Sequence, residues 1–326
     1  MRFVFRRRLL IVLVACAFPA CASQENPQQQ QPIIRVSVDR VDVGVIVTDL
    51  RGQFVEGLHR EDFRILDDGI EQPLTDFADV EAPAQVLLLI EAGPAVYLLE
   101  SGHVQAAHVL LDGLSPDDRV SVVQYADGPQ ALLPFTAEKR AAAEALDQVR
   151  FNLGFGSLNL SSSVAKVLDW LAPVPGKKCI VLLSTGLDTS PSKDVAATLQ
   201  RLATSDALLM AVSLTGGLEN PGPADKKKKA APKSLQTEAQ FAEAHRLLKD
   251  MAESTGGRAY FPSNTNELKA AFAEIARMAR HEYSLAYAPP ARDGQVHKIE
   301  VQASGTVRHV NHRQAYLAPS SSPTQK

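Results

Sequence analysis

The sequence predicts an α/β fold: a doubly wound, mostly parallel sheet with a small accessory β-domain formed by the N- and C-terminal segments. Three observations predict it. Continuous apolar runs at residues 86–90 and 179–183 suit parallel strands buried on both faces. Helical stripes alternate with such runs between about residues 84 and 281. Period-two, β-branched segments occupy the two ends instead.

The elements follow in chain order. In residues 33–83, Val36, Val38, Val41, Val43, Val45 and Val47 alternate, with a turn at Asp49-Leu50-Arg51-Gly52. A short strand at 63–66 ends at the Asp67-Asp68-Gly69 turn. These strands are too few to stand alone, and strand-like segments at 283–287, 296–303 and 306–317 are the expected partners. Between them, residues 84–281 alternate. The apolar run at 86–90 leads to a helix carrying Val96, Leu99, Ala106 and Leu110, with Gly113 near its end. Then come a strand at 119–125, an edge strand near 132–135 and a helix over 138–149 started by Thr136. A helix over 162–171 precedes the strand at 179–184, and a helix over 195–203 precedes the strand at 208–214. The next helix is opened by Thr237 with Gln240 three residues on, and stops at Gly256-Gly257. After a short strand at 258–261, a last helix starts at Asn264/Thr265 with Glu267 as capping partner.

The ends carry processing signals. Residues 1–22 hold Arg2, Arg6, Arg7 and Arg8 before an apolar run that Pro19 breaks, which predicts an export signal too short to span a bilayer. Two cleavage readings are open. Ala20-Cys21-Ala22 suits a cut before Ser23, giving a released protein. Leu13-Val14-Ala15-Cys16 resembles a lipobox, making Cys16 a lipidated first residue. Residues 23–32 read as a Gln-rich tether and 319–326 as a disordered tail. The expected location is exported: periplasmic, extracellular or attached to the cell envelope.

Among 326 residues, 34 Lys+Arg face 37 Asp+Glu. Without the four leader arginines, 30 basic residues remain and the balance is −7. That excludes bulk nucleic-acid binding. After cleavage at Ser23 one cysteine remains, Cys179, in an apolar run that predicts an inert core thiol. His103 and His108, and His309 and His312, are spaced so that neither pair converges; solvated or packing roles are expected. No metalloprotease, nucleophile-elbow or phosphate-loop motif occurs. Ser161-Ser162-Ser163 are expected to cap a helix.

A family resemblance rests on three stretches: VDVGVIVTDLRGQFVEGLHREDFRILDDGIEQPLTDF, LLKDMAESTGGRAYF and YSLAYAPPARDGQVHKIEV. Across residues 33–318 the chain resembles the bacterial secreted VWFA-related family, whose core is a von Willebrand factor type A domain. The resemblance implies a divalent-cation site at the strand ends, made by DxSxS, a loop threonine and the aspartate of a (T/S)DG turn. This sequence departs from all three. Glu91, Gly93 and Ala95 stand in the first segment, Leu158 at the threonine and Thr185 at the aspartate, so loss of the metal and no cofactor are expected. The competing reading has Glu91, Ser157 and Asp188 improvise a site.

The function expected is a non-catalytic protein-interaction module of adhesion or scaffold type. It would bind an unknown protein, or an envelope or extracellular ligand, through strand-end loops without a bridging metal. The candidate face comprises Glu91, Ser157, Asn159, Thr185 and Asp188, with the basic run Lys226, Lys227, Lys228 and Lys229 on a nearby loop. Membrane contact is expected only through a lipid on Cys16. The alternatives are a secreted hydrolase with an unrecognised site, and a passive envelope component.

Overall fold

In the computed structural model, residues 40–50, 53–93, 102–150, 157–215, 235–305 and 309–320 are described. Cys16, Ala95 and Lys226, Lys227, Lys228 and Lys229 lie outside them. No helix among the described residues is long and apolar enough to cross a membrane.

Strands β1 (Val41–Thr48), β2 (Phe63–Asp67), β3 (Ile70–Gln72) and β4 (Leu74–Glu81) come first. The central region runs β5 (Ala84–Glu91), α1 (Gly102–Gly113), β6 (Arg119–Tyr125), β7 (Pro129–Thr136), α2 (Lys139–Leu146) and α3 (Leu160–Leu171). It continues with β8 (Lys177–Ser184), α4 (Ser192–Thr204), β9 (Ala207–Ser213), α5 (Leu235–Ser254), β10 (Ala259–Tyr260) and α6 (Thr265–Met278). The last strands are β11 (His281–Tyr287), β12 (Val296–Ala303), β13 (His309–His312) and β14 (Ala315–Leu317).

The central sheet has the order β10-β9-β8-β5-β6-β7, parallel except for the antiparallel edge strand β7. Its strands alternate inward on both faces, so each face needs its own helical layer. Val86, Leu88, Ile90, Val181 and Met210 pack with Leu110 of α1, Leu146 of α2 and Phe272 of α6. Leu87, Leu89, Ile180, Leu182 and Leu209 pack with Val164 of α3, Leu202 of α4 and Leu248 of α5. The doubly wound fold class is therefore present. Because β5 feeds one face and β8, its neighbour, feeds the other, their carboxyl ends flank the switch point where such folds place ligands.

Two four-stranded sheets, β13-β1-β11-β4 and β14-β12-β2-β3, draw strands from both ends of the chain. Val43 faces Leu285 across β1 and β11, and Ile65 faces Val301 across β2 and β12. Val43, Val45, Phe63, Ile65, Tyr283, Leu285 and Ile299 share one buried cluster, so the sheets pack as a sandwich. It meets the central sheet through Ile46, through a 3.2 Å ion pair between Lys177 and Glu282, and through Arg258, which bonds Thr48 and Glu274.

Local signals differ from expectation in three places. Helix α3 starts at Leu160 with Asn159 before it, so the three serines lie inside the helix rather than capping it. Ser161 Oγ and Ser163 Oγ are buried without a hydrogen-bond partner, and the free Ser161 N–H is served by Asp188 Oδ2 at 2.9 Å. Helix α5 starts at Leu235, which places Thr237 within its first turn. Helix α2 ends at Leu146, and Thr136 accepts from Glu138 N–H just ahead of it. Asn264 does cap α6, accepting from the N–H groups of Asn266 and Glu267.

Candidate functional site

Glu91 ends β5 and Ser184 ends β8, so the pairing of these strands brings Thr185 beside Glu91. The Glu91 carboxylate is fully buried. Oε2 accepts from Thr185 N–H at 2.7 Å, Ser184 Oγ at 3.0 Å and Tyr125 Oη at 3.2 Å. The Thr185 hydroxyl lies 3.0 Å from Oε1 and 2.9 Å from Oε2. Burial pushes this carboxyl above its usual range, and the Thr185, Ser184 and Tyr125 donors oppose the shift. Tyr125, at the carboxyl end of β6, is likewise pushed up by burial, then by the charge of Glu91.

The loops above this knot are joined to each other. Leu158 N–H donates to Thr189 Oγ1 at 2.9 Å, and Thr189 N–H donates to the Leu158 carbonyl at 2.8 Å. Asn159 Nδ2 donates to the Asp127 carbonyl and to Asp127 Oδ1, while its Oδ1 accepts from the Thr189 hydroxyl. Asp188 accepts from Ser161 N–H with Oδ2 and from Ser190 N–H with Oδ1. Gly93 lies under Leu158: a Cβ there would stand 3.2 Å from Leu158 Cδ1 and 3.5 Å from Glu91 Oε1. Glu91, Gly93, Leu158 and Thr185 thus meet at one point. Asn159 and Asp188 belong to the loop layer over it, where Ser157 is exposed.

A hard dication asks for six or more oxygen ligands. Here the one carboxylate at the centre already accepts from three residues, and Gly93 and Leu158 supply no side-chain oxygen. Both Asp188 oxygens serve backbone N–H groups. This donor set does not fit such an ion. Tyr125 and Ser184 are the members sequence reasoning missed. Their positions at strand ends were the available signal, but nothing in a sequence shows where a hydroxyl points.

Beside the knot runs a groove of about 890 Å³, walled by the loop from Gly186 to Ser190, by Val195 and Leu199 of α4, and by Ala244 and Leu247 of α5. Gly186 has φ +77°, and a Cβ there would stand 2.5 Å from the Ala244 carbonyl, so loop and helix touch through backbone. Cys179, by contrast, is buried in the core with its thiol pushed up to about 12 by burial. His312 is a packing histidine: its Nε2 accepts from Val301 N–H at 3.1 Å.

No family model matches the chain, and no curated protein matches it. Solved structures do. A von Willebrand factor type A protein from Catenulispora acidiphila aligns over 81% of this chain and 74% of its own at 13% identity and TM-score 0.47. An aerotolerance-related membrane protein from Bacteroides fragilis aligns over 60% of this chain and 100% of its own at 14% identity and TM-score 0.45. Proximal thread matrix protein 1 of the mussel byssus aligns over 65% of this chain and 50% of its own at 14% identity and TM-score 0.43. At these identities the likeness is one of fold alone. The likeness is to the von Willebrand factor type A fold, and the doubly wound, mostly parallel sheet described above has its own strand order β10-β9-β8-β5-β6-β7.

Proposed function

We propose that the chain is an exported, non-catalytic interaction module that takes a protein or envelope partner on its strand-end loops without a bridging metal. One observation supports it most: Glu91, in the place of a metal-binding aspartate, is turned inward onto Thr185, Ser184 and Tyr125. The polar loops above it face outward beside an open groove. Such a surface can hold a partner by the shape that Asn159 and Asp188 fix in the loops and by hydrogen bonds at the exposed Ser157, where a metal-dependent relative would bridge through an ion. The basic, apolar leader supports export, and Lys226, Lys227, Lys228 and Lys229 would add attraction for an acidic partner.

The test is partner retention by the full chain and by Leu247→Arg, which fills the groove wall. The reading expects the variant to melt like the parent, lose the retained partner, and the parent to keep it in chelator. Retention that chelator abolishes, or that Leu247→Arg leaves intact, refutes it. Excess Mg²⁺ should leave the melting midpoint unchanged, whereas a bound ion at 100 times its Kd would add about 2.7 kcal/mol.

One observation favours the hydrolase alternative. Thr215 Oγ1 lies 2.6 Å from His245 Nε2, just past the carboxyl end of β9. Thr215 is only 1% exposed, and its hydroxyl is also 2.9 Å from Ser213 Oγ, which suits a loop anchor better than a nucleophile. An ester-hydrolysis assay in which Thr215→Val abolishes turnover would reverse that judgement.

A further inference from the structure

A second cluster of titratable groups lies in the β-sandwich, away from the strand-end loops. Asp67 ends β2, and Asp68 and Gly69 form the turn to β3 with φ of 48° and 82°. Register pairs Asp67 with Ile299 of β12, which brings His297 alongside the turn. His297 Nδ1 is 2.9 Å from Asp68 Oδ2 and 3.4 Å from Asp67 Oδ1. A tetrahedral ion with bonds of about 2.1 Å has ligand edges of about 3.4 Å, which the Asp67 contact matches and the closer Asp68 contact would reach by a small opening; all three atoms lie within 4.8 Å of one another. The other ring nitrogen, Nε2, is 3.1 Å from Asp293 Oδ1.

The carboxylates are divided in a way that leaves oxygens free for one point. Asp67 Oδ2 accepts from the hydroxyls of Tyr287 at 2.9 Å and Tyr316 at 2.7 Å. Its Oδ1 is buried and accepts no hydrogen bond, and the His297 ring faces it at 3.4 Å. A buried carboxylate oxygen without a donor is costly unless a cation faces it. Asp68 Oδ1 accepts from Lys298 N–H at 2.9 Å, which leaves Oδ2 toward His297. The Asp68 side chain is 53% exposed, so the cluster opens to solvent on that side.

We propose that Asp67 Oδ1, Asp68 Oδ2 and His297 Nδ1 bind a first-row divalent metal ion of the Zn²⁺ type, with water completing its shell. One imidazole nitrogen with two carboxylates suits Zn²⁺ better than Mg²⁺ or Ca²⁺, which prefer all-oxygen shells. Asp293 then accepts the Nε2 proton and orients the ring, as outer-shell carboxylates do for metal-bound histidines. The ion takes the place of any proton on Nδ1, which leaves to solvent. The site lies in the sandwich and stands or falls independently of how the strand-end loops bind a partner.

The test is calorimetric titration of ZnCl₂ into the chelator-treated full chain, with Co²⁺ absorption as a second reading of the ligands. The expected result is a site whose affinity falls at least 100-fold in His297→Gln and 10- to 100-fold in Asp293→Asn, with circular dichroism unchanged. Zn²⁺ should raise the melting midpoint of the parent and not that of His297→Gln. If His297→Gln does not fold, Asp68→Asn carries the comparison, since asparagine accepts the positive φ of that turn. Equal Zn²⁺ affinity in parent and variants overturns the proposal, as does absence of binding at 100 μM in the parent, which would make the cluster a self-contained ion network. Displacement of Zn²⁺ by an equal concentration of Mg²⁺ overturns the assigned class of ion.

Discussion

At Glu91 a buried carboxylate is held by donors from two neighbouring strands and the residue after one of them. Glu91→Ala would leave the Thr185 N–H and the Ser184 and Tyr125 hydroxyls without their acceptor, so it should cost about 2–4 kcal/mol, read from the urea midpoint. Glu91→Gln keeps the shape and should cost less; equal losses would mean that packing, not hydrogen bonding, holds the knot. His312 gives a pH dependence. Its Nε2 accepts from Val301 N–H, its Nδ1 lies 2.8 Å from the Arg313 carbonyl, and burial pushes it below the usual imidazole range. The unfolded chain then binds the proton more readily. Stability should therefore be complete above about pH 6.5 and fall as pH drops through the lowered value. Melting at pH 7.5 and 5.5 should show a larger loss for the parent than for His312→Gln. Of these residues, the sequence placed Glu91 and Thr185 at strand ends because apolar runs lead into both. It did not reveal Tyr125 or Ser184 as their partners, since hydroxyl direction depends on strand register.

Among the elements, the end of α5 has the least room for change. Gly256 has φ +78°, and Gly257 N–H donates to the Ala252 carbonyl at 2.9 Å, closing the helix. A Cβ on Gly257 would stand 1.9 Å from the Leu209 carbonyl oxygen of β9. Gly257→Ala should therefore cost about 3–5 kcal/mol, seen as a large fall in melting temperature; a small fall would mean that α5 and β9 can slide apart. Asp188→Ala removes the acceptor for Ser161 N–H and should cost about 1 kcal/mol by the same measurement. The stop at Gly256-Gly257 and the start at Asn264 were legible because both act through neighbouring residues. The start of α3 was not, because its acceptor comes from another loop, and serines that look like caps turned inward.

For the whole molecule, β11 is the strand on which the ends of the chain depend. It lies between β1 and β4, and Glu282 on it faces Lys177 of the central sheet. Truncation after Arg280 should expose residues 41–81 to protease while leaving the sequence of the central sheet intact. Persistent protection of that segment in limited proteolysis would show that β1 and β4 hold without β11. The alternation of strands and helices made the doubly wound sheet readable, because period and burial follow from local residue order. The cluster of Asp67, Asp68 and His297 was not readable, because only the pairing of β2 with β12 makes its members neighbours. That same pairing of distant strands bears on how the molecule carries tension. The chain leaves the sandwich between β4 and β5 and re-enters it at β11, where Ala82 N–H donates to the Arg280 carbonyl. A pull between Val41 and Leu317 would therefore act on the strands of the sandwich, which hold both ends, before it reached the central sheet. The strand-end loops would keep their shape, and their grip on a partner, until the sandwich itself gave way.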